Sequence, residues 1–151
     1  MKGAAAAWIS LALAAPLGAQ AQSFSTSCGG AAFTIEVARA GGHPLDNTYR
    51  IAGAVAGGPS RTVFTSEDGG WLDAACVRDG RGRERLLFQA SCGGSACVED
   101  RYGLVDPQRL VLLLAPGPGD RGNAKAAAAA LGLPEAPWLP ESRDAFCCRA
   151  R

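Results

Sequence analysis

The sequence predicts an α+β fold: one small antiparallel sheet of about five or six strands, one Ala-rich helix, and a disulfide-tethered C-terminal tail. Three observations carry this expectation. Short segments with apolar alternation recur between Gly- and Pro-rich turns from Phe33 to Cys92. An alanine run closed by Gly132 and Pro134 follows. Six cysteines, an even number, extend to the chain end at Cys147-Cys148. Closely spaced strands with short turns form antiparallel meanders, because parallel neighbours need a long crossover.

The first expected strand is Phe33-Thr34-Ile35-Glu36-Val37-Ala38-Arg39, in which Phe33, Ile35 and Val37 share one face. Gly41-Gly42-His43-Pro44-Leu45-Asp46-Asn47 is turn chemistry. Tyr49, Ile51 and Val55 alternate again, and Gly53 among them marks a bulge or a close approach. Arg61–Ser66 is a short strand after the turn at Gly57-Gly58-Pro59-Ser60. Trp71–Arg78 and Arg85–Cys92 flank Asp79-Gly80-Arg81-Gly82, and Asp-Gly favours a hairpin. An even-length loop there places Trp71, Ala75 and Val77 on one face with Leu86, Phe88, Ala90 and Cys92. That face is the expected core of the sheet.

Asp106-Pro107-Gln108-Arg109 is a helix-start signal. It runs into Leu110–Leu114, a short apolar run ended by Pro116, and a buried strand is expected. Asp120 or Asn123 caps a helix through Leu131. Alanine forms helix well but buries little area, so this helix should lie close against the sheet. The tail beyond carries Pro134, Pro137 and Pro140 and relies on Trp138, Phe146 and the last two cysteines for anchorage.

Residues 1–21 read as a cleavable secretory signal peptide. Met1-Lys2 is the positive start, Ala4–Gly18 is apolar and uncharged, and Ala19-Gln20-Ala21 is a small-residue cleavage site. A membrane anchor needs about 20 apolar residues, and Pro16-Leu17-Gly18 interrupts this stretch. Cys28 lies too far beyond the cut to carry a lipid. Residues 22–151 then form one domain with no membrane span, because Leu110–Ala115 is too short. The expected location is periplasmic or secreted. Arg dominates the basic residues, and with abundant Ala and Gly this points to a GC-rich bacterial genome.

Removing Lys2 from 15 basic residues leaves 14, against 14 acidic, so the mature chain has zero net charge. That balance argues against a nucleic-acid partner, which requires a concentrated basic face.

Cys28, Cys76, Cys92, Cys97, Cys147 and Cys148 read as structural disulfides of an oxidising compartment. A vicinal Cys147–Cys148 bridge is strained, so each is expected to bond a distant partner. The Gly93-Gly94-Ser95-Ala96 tetrapeptide suits a Cys92–Cys97 bridge, with Cα atoms within about 6 Å. Cys28 and Cys76 are then left to hold the C-terminal pair. Zinc is disfavoured, since Cys92-x₄-Cys97 is the one short spacing and His43 the one histidine. A redox dithiol or soft-metal site at Cys147-Cys148 lacks the Cys-x-x-Cys pattern. No metal and no cofactor are expected.

Serine catalysis needs a base within reach, and neither His43 in its turn nor Ser95 in Gly-Gly-Ser-Ala-Cys matches a nucleophile motif. The acidic pairs Glu67-Asp68 and Glu99-Asp100 are candidates for glycan cleavage by paired carboxylates, but acids in loops are usually solvated. Glu99 and Asp100, beside the expected Cys92–Cys97 bridge, are kept as candidate binding residues. Arg78, Arg81, Arg83 and Arg85 cluster at the hairpin tip and suit phosphate or another anionic surface. With Asp79 and Glu84 among them, the simpler reading is a solubilising tip.

Ser27-Cys28-Gly29-Gly30-Ala31-Ala32-Phe33-Thr34-Ile35-Glu36-Val37 resembles the first strand of small periplasmic lysozyme-inhibitor barrels, with an early Cys leading into an alternating strand. The resemblance covers about a tenth of the mature chain. The inhibitory loop of those proteins has no counterpart here, so no residue role is carried over. The expected function is a non-enzymatic cell-envelope module, binding, inhibitory or structural, whose partner is an envelope protein or polymer. The alternative is a small thiol-disulfide or soft-metal-handling protein using Cys147-Cys148.

Overall fold

The computed structural model describes residues 22–39, 47–66, 71–91, 101–117 and 122–139. The expected signal peptide lies outside the described residues. So do His43, Glu67, Asp68, Cys92, Ser95, Cys97, Glu99, Asp100, Phe146, Cys147 and Cys148.

The fold is mostly β. Strands β1 (Gln22–Cys28), β2 (Ala31–Arg39), β3 (Asn47–Val55) and β4 (Arg61–Ser66) form one sheet in sequential order. Strands β5 (Trp71–Arg78), β6 (Glu84–Ser91), β7 (Arg101–Asp106) and β8 (Val111–Leu114) form a second, again in order. Every pairing is antiparallel. Helix α1 (Ala124–Leu131) follows.

Two four-stranded meanders therefore replace the expected single sheet of five or six strands. Two strands escape the pattern reading for opposite reasons. In β1 only Phe24 and Cys28 are large or apolar enough to mark a face, the rest being Ser, Thr and Gln. In β7 five consecutive residues are buried, so no alternation survives. The stretch that resembles a single inhibitor strand also divides, into the end of β1, the Gly29-Gly30 turn, and β2.

The two sheets pack face to face. Phe33, Ile35 and Val37 of β2 and Tyr49 and Ile51 of β3 meet Leu72 of β5, Leu86, Phe88 and Ala90 of β6 and Val105 of β7. Each fully buried Leu, Ile or Phe contributes about 1.5–3 kcal/mol, so this layer is the main source of stability. Gly53 is a close approach, as its place in the pattern suggests: a Cβ there would lie 2.7 Å from both Leu110 and Phe33. A register shift between Ile51 and Ala52 accompanies it.

The outer face of the second sheet packs on α1 through Leu87, Tyr102, Leu104, Ala127 and Leu131. An eight-residue helix is too short to persist alone, and docking supplies its stability. Ala127, Ala128 and Leu131 are its buried residues, so small side chains do let it lie close. The N–H groups of Gly132 and Leu133 close its C-terminus on Ala129 and Ala128, with Gly132 left-handed. Asn123 does not cap the N-terminus with its side chain. Its amide instead accepts the Tyr102 N–H at 2.6 Å and donates to the Tyr102 and Ala115 carbonyls at 2.8 and 3.1 Å. It extends the ladder of β7 beyond the end of β8.

Two further expectations are corrected. Val111–Leu114 is a strand, but it is an edge strand and Val111 and Leu113 are exposed. Trp138 is 59 % exposed and does not anchor the tail. Leu133, Ala136 and Leu139 pack there instead.

Candidate functional site

Sequential meanders put alternate connections at opposite ends. The Gly29-Gly30 turn, the β3–β4 turn, the β5–β6 hairpin and the β7–β8 turn share one end, here called the turn end. The candidate site is there, because its parts are held by identifiable contacts.

The β5–β6 hairpin is not the even-length loop expected. Arg78 pairs with Glu84, leaving five residues between the strands. The Gly82 N–H donates to the Asp79 carbonyl and the Asp79 N–H to the Arg83 carbonyl, both near 2.8–2.9 Å. This is a turn followed by a left-handed residue, and Gly82 at φ 75° supplies it. Changing the parity by one residue flips the register. Leu86, Phe88 and Ala90 accordingly share their face with Cys76, Ala74 and Leu72, not with Val77, Ala75 and Trp71.

Asp79 holds this hairpin together. Its side chain is 2 % exposed; one oxygen accepts the N–H groups of Arg81 and Arg83 at 2.9 Å, and the other accepts the Arg83 Nε at 2.8 Å. Arg85 Nε lies 3.5 Å from the same carboxylate. Burial works to raise the Asp79 pKa, but the two backbone donors and the Arg83 guanidinium outweigh it and hold it below the ordinary aspartate value. The tip also docks on the helix: the Gly80 N–H donates to the Leu131 carbonyl at 2.8 Å. A Cβ on Gly80 would lie 2.3 Å from the Gly132 oxygen.

Three contacts tie the end of β1 and its turn to the second sheet. Cys28 of β1 and Cys76 of β5 form a disulfide with Cα atoms 5.2 Å apart. The next residue, Gly29, donates its N–H to Glu84 at 2.7 Å. Gly29 also sits against Pro107, whose Cγ would be 2.4 Å from an added Cβ. The expected pairing of Cys28 and Cys76 with the C-terminal cysteines is thus replaced by a bond between them. The reason is topological: β1 and β5 are edge strands of the two stacked sheets, so their ends meet. Neither sulfur is then a thiolate available to a metal, although both lie within 4.8 Å of a Glu84 oxygen.

Between these ties runs a groove of about 460 Å³, lined chiefly by Arg78, Arg83, Glu84, Arg85, Asp106 and Gln108. Of the four arginines singled out in the sequence, three line it. Arg85 is buried, bonded to Asp106 at 3.0 Å, and structural. Arg83 spends Nε on Asp79 and is half-exposed. Arg78 is 76 % exposed and 3.9 Å from Glu84. Arg81 is exposed at the tip outside the groove. Asp106, Gln108, Gly29 and Glu84 also line it, and none of them is among the candidate site residues of the sequence. The Asp106-Pro107 signal does mark a capped turn, since the Gln108 and Arg109 N–H groups donate to Asp106 at 3.0 and 3.2 Å. It begins a turn here, not a helix.

The turn end as a whole carries six arginines (Arg61, Arg78, Arg81, Arg83, Arg85, Arg109) and three acids (Asp79, Glu84, Asp106), a formal +3. All three acids have partners, whereas Arg61, Arg81 and Arg109 have no ion pair among the described residues. No family model matches the sequence, no curated protein is detectably similar to it, and no solved structure matches it. No helix among the described residues is long and apolar enough to cross a membrane.

Proposed function

We propose that this chain is an exported, non-enzymatic module of the cell envelope that binds an acidic envelope protein or polymer through its turn end. The observation that carries this reading is the concentration of arginines, formal +3, on turns fixed by a disulfide and by hydrogen bonds to Asp79, Asp106 and Glu84. A charged surface on a rigid frame loses little conformational entropy on binding. Its charge steers partners of opposite sign despite the zero net charge of the mature chain.

The test is co-sedimentation of the purified, oxidised protein with isolated envelope fragments. The expected result is retention that weakens with salt and falls at least tenfold in the triple variant Arg61→Ser, Arg81→Ser, Arg109→Ser. These side chains have no ion pair among the described residues, so folding should be unaffected. Retention that ignores both the substitutions and salt overturns the reading, as does release of soluble fragments from the envelope by the protein.

A further inference from the structure

Resting on that binding reading, we propose that the groove between Arg78 and Arg83 is a site for a phosphate group, either a free phosphate monoester or the headgroup of an anionic lipid. Its walls come from different elements: the hairpin carries Arg78, Gly82, Arg83 and Glu84, and the β7–β8 turn carries Pro107 and Gln108. The Arg85–Asp106 pair is also part of the lining.

The donors are the first argument. A guanidinium offers five N–H groups. Arg83 uses only Nε, on Asp79, so its terminal amino groups bond nothing else among the described residues. The bond to Asp79 fixes the arginine from behind while leaving its outer edge unspent. Among the described residues Arg78 has only the 3.9 Å approach to Glu84, beyond hydrogen-bond reach. Exposed pairs of this kind contribute little, so an anion competes for Arg78 at small cost.

The acids at the groove are each engaged already. Asp106 is neutralised by Arg85 at 3.0 Å. Glu84 is committed to the Gly29 N–H at 2.7 Å. With Asp79 behind Arg83 counted, Arg78, Arg83 and Arg85 face Asp79, Glu84 and Asp106 and the formal charge is zero, so recognition rests on the unspent N–H groups of Arg78 and Arg83. Two guanidinium groups lining one groove suit phosphate better than carboxylate. One planar carboxylate satisfies one guanidinium fork, whereas a tetrahedral phosphate has oxygens for two forks on separate residues. Gly82 has open space where a Cβ would point, so a ligand can approach the backbone there.

The experiment titrates the oxidised mature protein with inorganic phosphate and with glycerol 3-phosphate at fixed ionic strength, following amide resonances by NMR. Both probes should shift Gly82, Arg83 and Gln108 saturably, and acetate should not. Arg78→Gln should weaken binding at least tenfold, and Arg83→Lys, which retains a cation for Asp79, at least threefold. Arg50→Gln on the opposite sheet should leave binding unchanged. Vesicles of phosphatidylglycerol, compared with phosphatidylcholine, assign the source. Retention on the former alone supports a headgroup, and binding of the soluble probes without retention supports a free monoester. Absent saturation, equal shifts with acetate, or equal weakening by Arg50→Gln overturns the site. If phosphate fails while envelope co-sedimentation stays sensitive to Arg61, Arg81 and Arg109, this inference falls and the binding reading stands.

Discussion

At the scale of single residues, Asp79 is the most consequential side chain outside the apolar core. Its partners lower its pKa in the folded state, so folding favours the ionised form. A depressed carboxylate contributes stability that is fully present above its unfolded pKa, about 3.9, and is lost as pH falls through the lower folded value. Asp79→Asn should therefore lower the melting temperature at pH 7, and the gap from the parent should narrow steadily below about pH 4. Thermal unfolding of both proteins from pH 7 to pH 2 measures this; a gap constant across that range sinks the assignment. Gly103 is a second such residue. A Cβ there would lie 1.9 Å from the Phe88 ring, which is fully buried and in tilted contact with Phe64, centroids 4.8 Å apart. The ring has nowhere to move, so Gly103→Ala should cost about 1–3 kcal/mol by overpacking. Adding Phe88→Leu should recover part of that loss in urea unfolding, because the two positions share one volume.

At the scale of elements, legibility followed periodicity. β2, β4 and β5 were readable because apolar residues alternate or turns bound them sharply, and Arg61–Ser66 and Trp71–Arg78 have the bounds their turns imply. The helix was readable from alanine content and from Gly132. The β5–β6 register was not, because Asp79-Gly80 looks like the turn centre while Gly82 takes the left-handed conformation. The candidate site was half legible. Clustered arginines are visible in sequence, but which of them is buried depends on Asp106, more than twenty positions away from Arg85. Asn123 shows the same limit: a cap by pattern, it is a strand surrogate by contact. Asn123→Ala removes three hydrogen bonds to backbone groups and should cost about 1–3 kcal/mol. Amide exchange should quicken at Tyr102 and in α1 while the sheet opposite keeps its protection, and uniform acceleration would contradict a local role.

At the scale of the whole molecule, the question is what keeps two separate meanders stacked. The shared apolar layer supplies most of the free energy, but it is non-directional and does not fix how the sheets align. The Cys28–Cys76 bridge does, by joining edge strands across a separation of 48 residues. In the chain-entropy model a loop of that length is worth about 4 kcal/mol, a large share of the roughly 5–15 kcal/mol that typical domains possess. The Glu84–Gly29 bond and the Gly29–Pro107 contact lie at the same corner, so a folded state should survive loss of the bridge. Cys28→Ala with Cys76→Ala should therefore give a cooperative urea transition lowered by about 4 kcal/mol. The amides of Gly29 and Glu84 should exchange faster than those of Ile35 and Leu87, since the groove corner loosens before the core. A loss below about 1 kcal/mol would mean that Glu84 and Pro107 alone hold the corner, and alignment of the sheets would then rest on packing and one hydrogen bond.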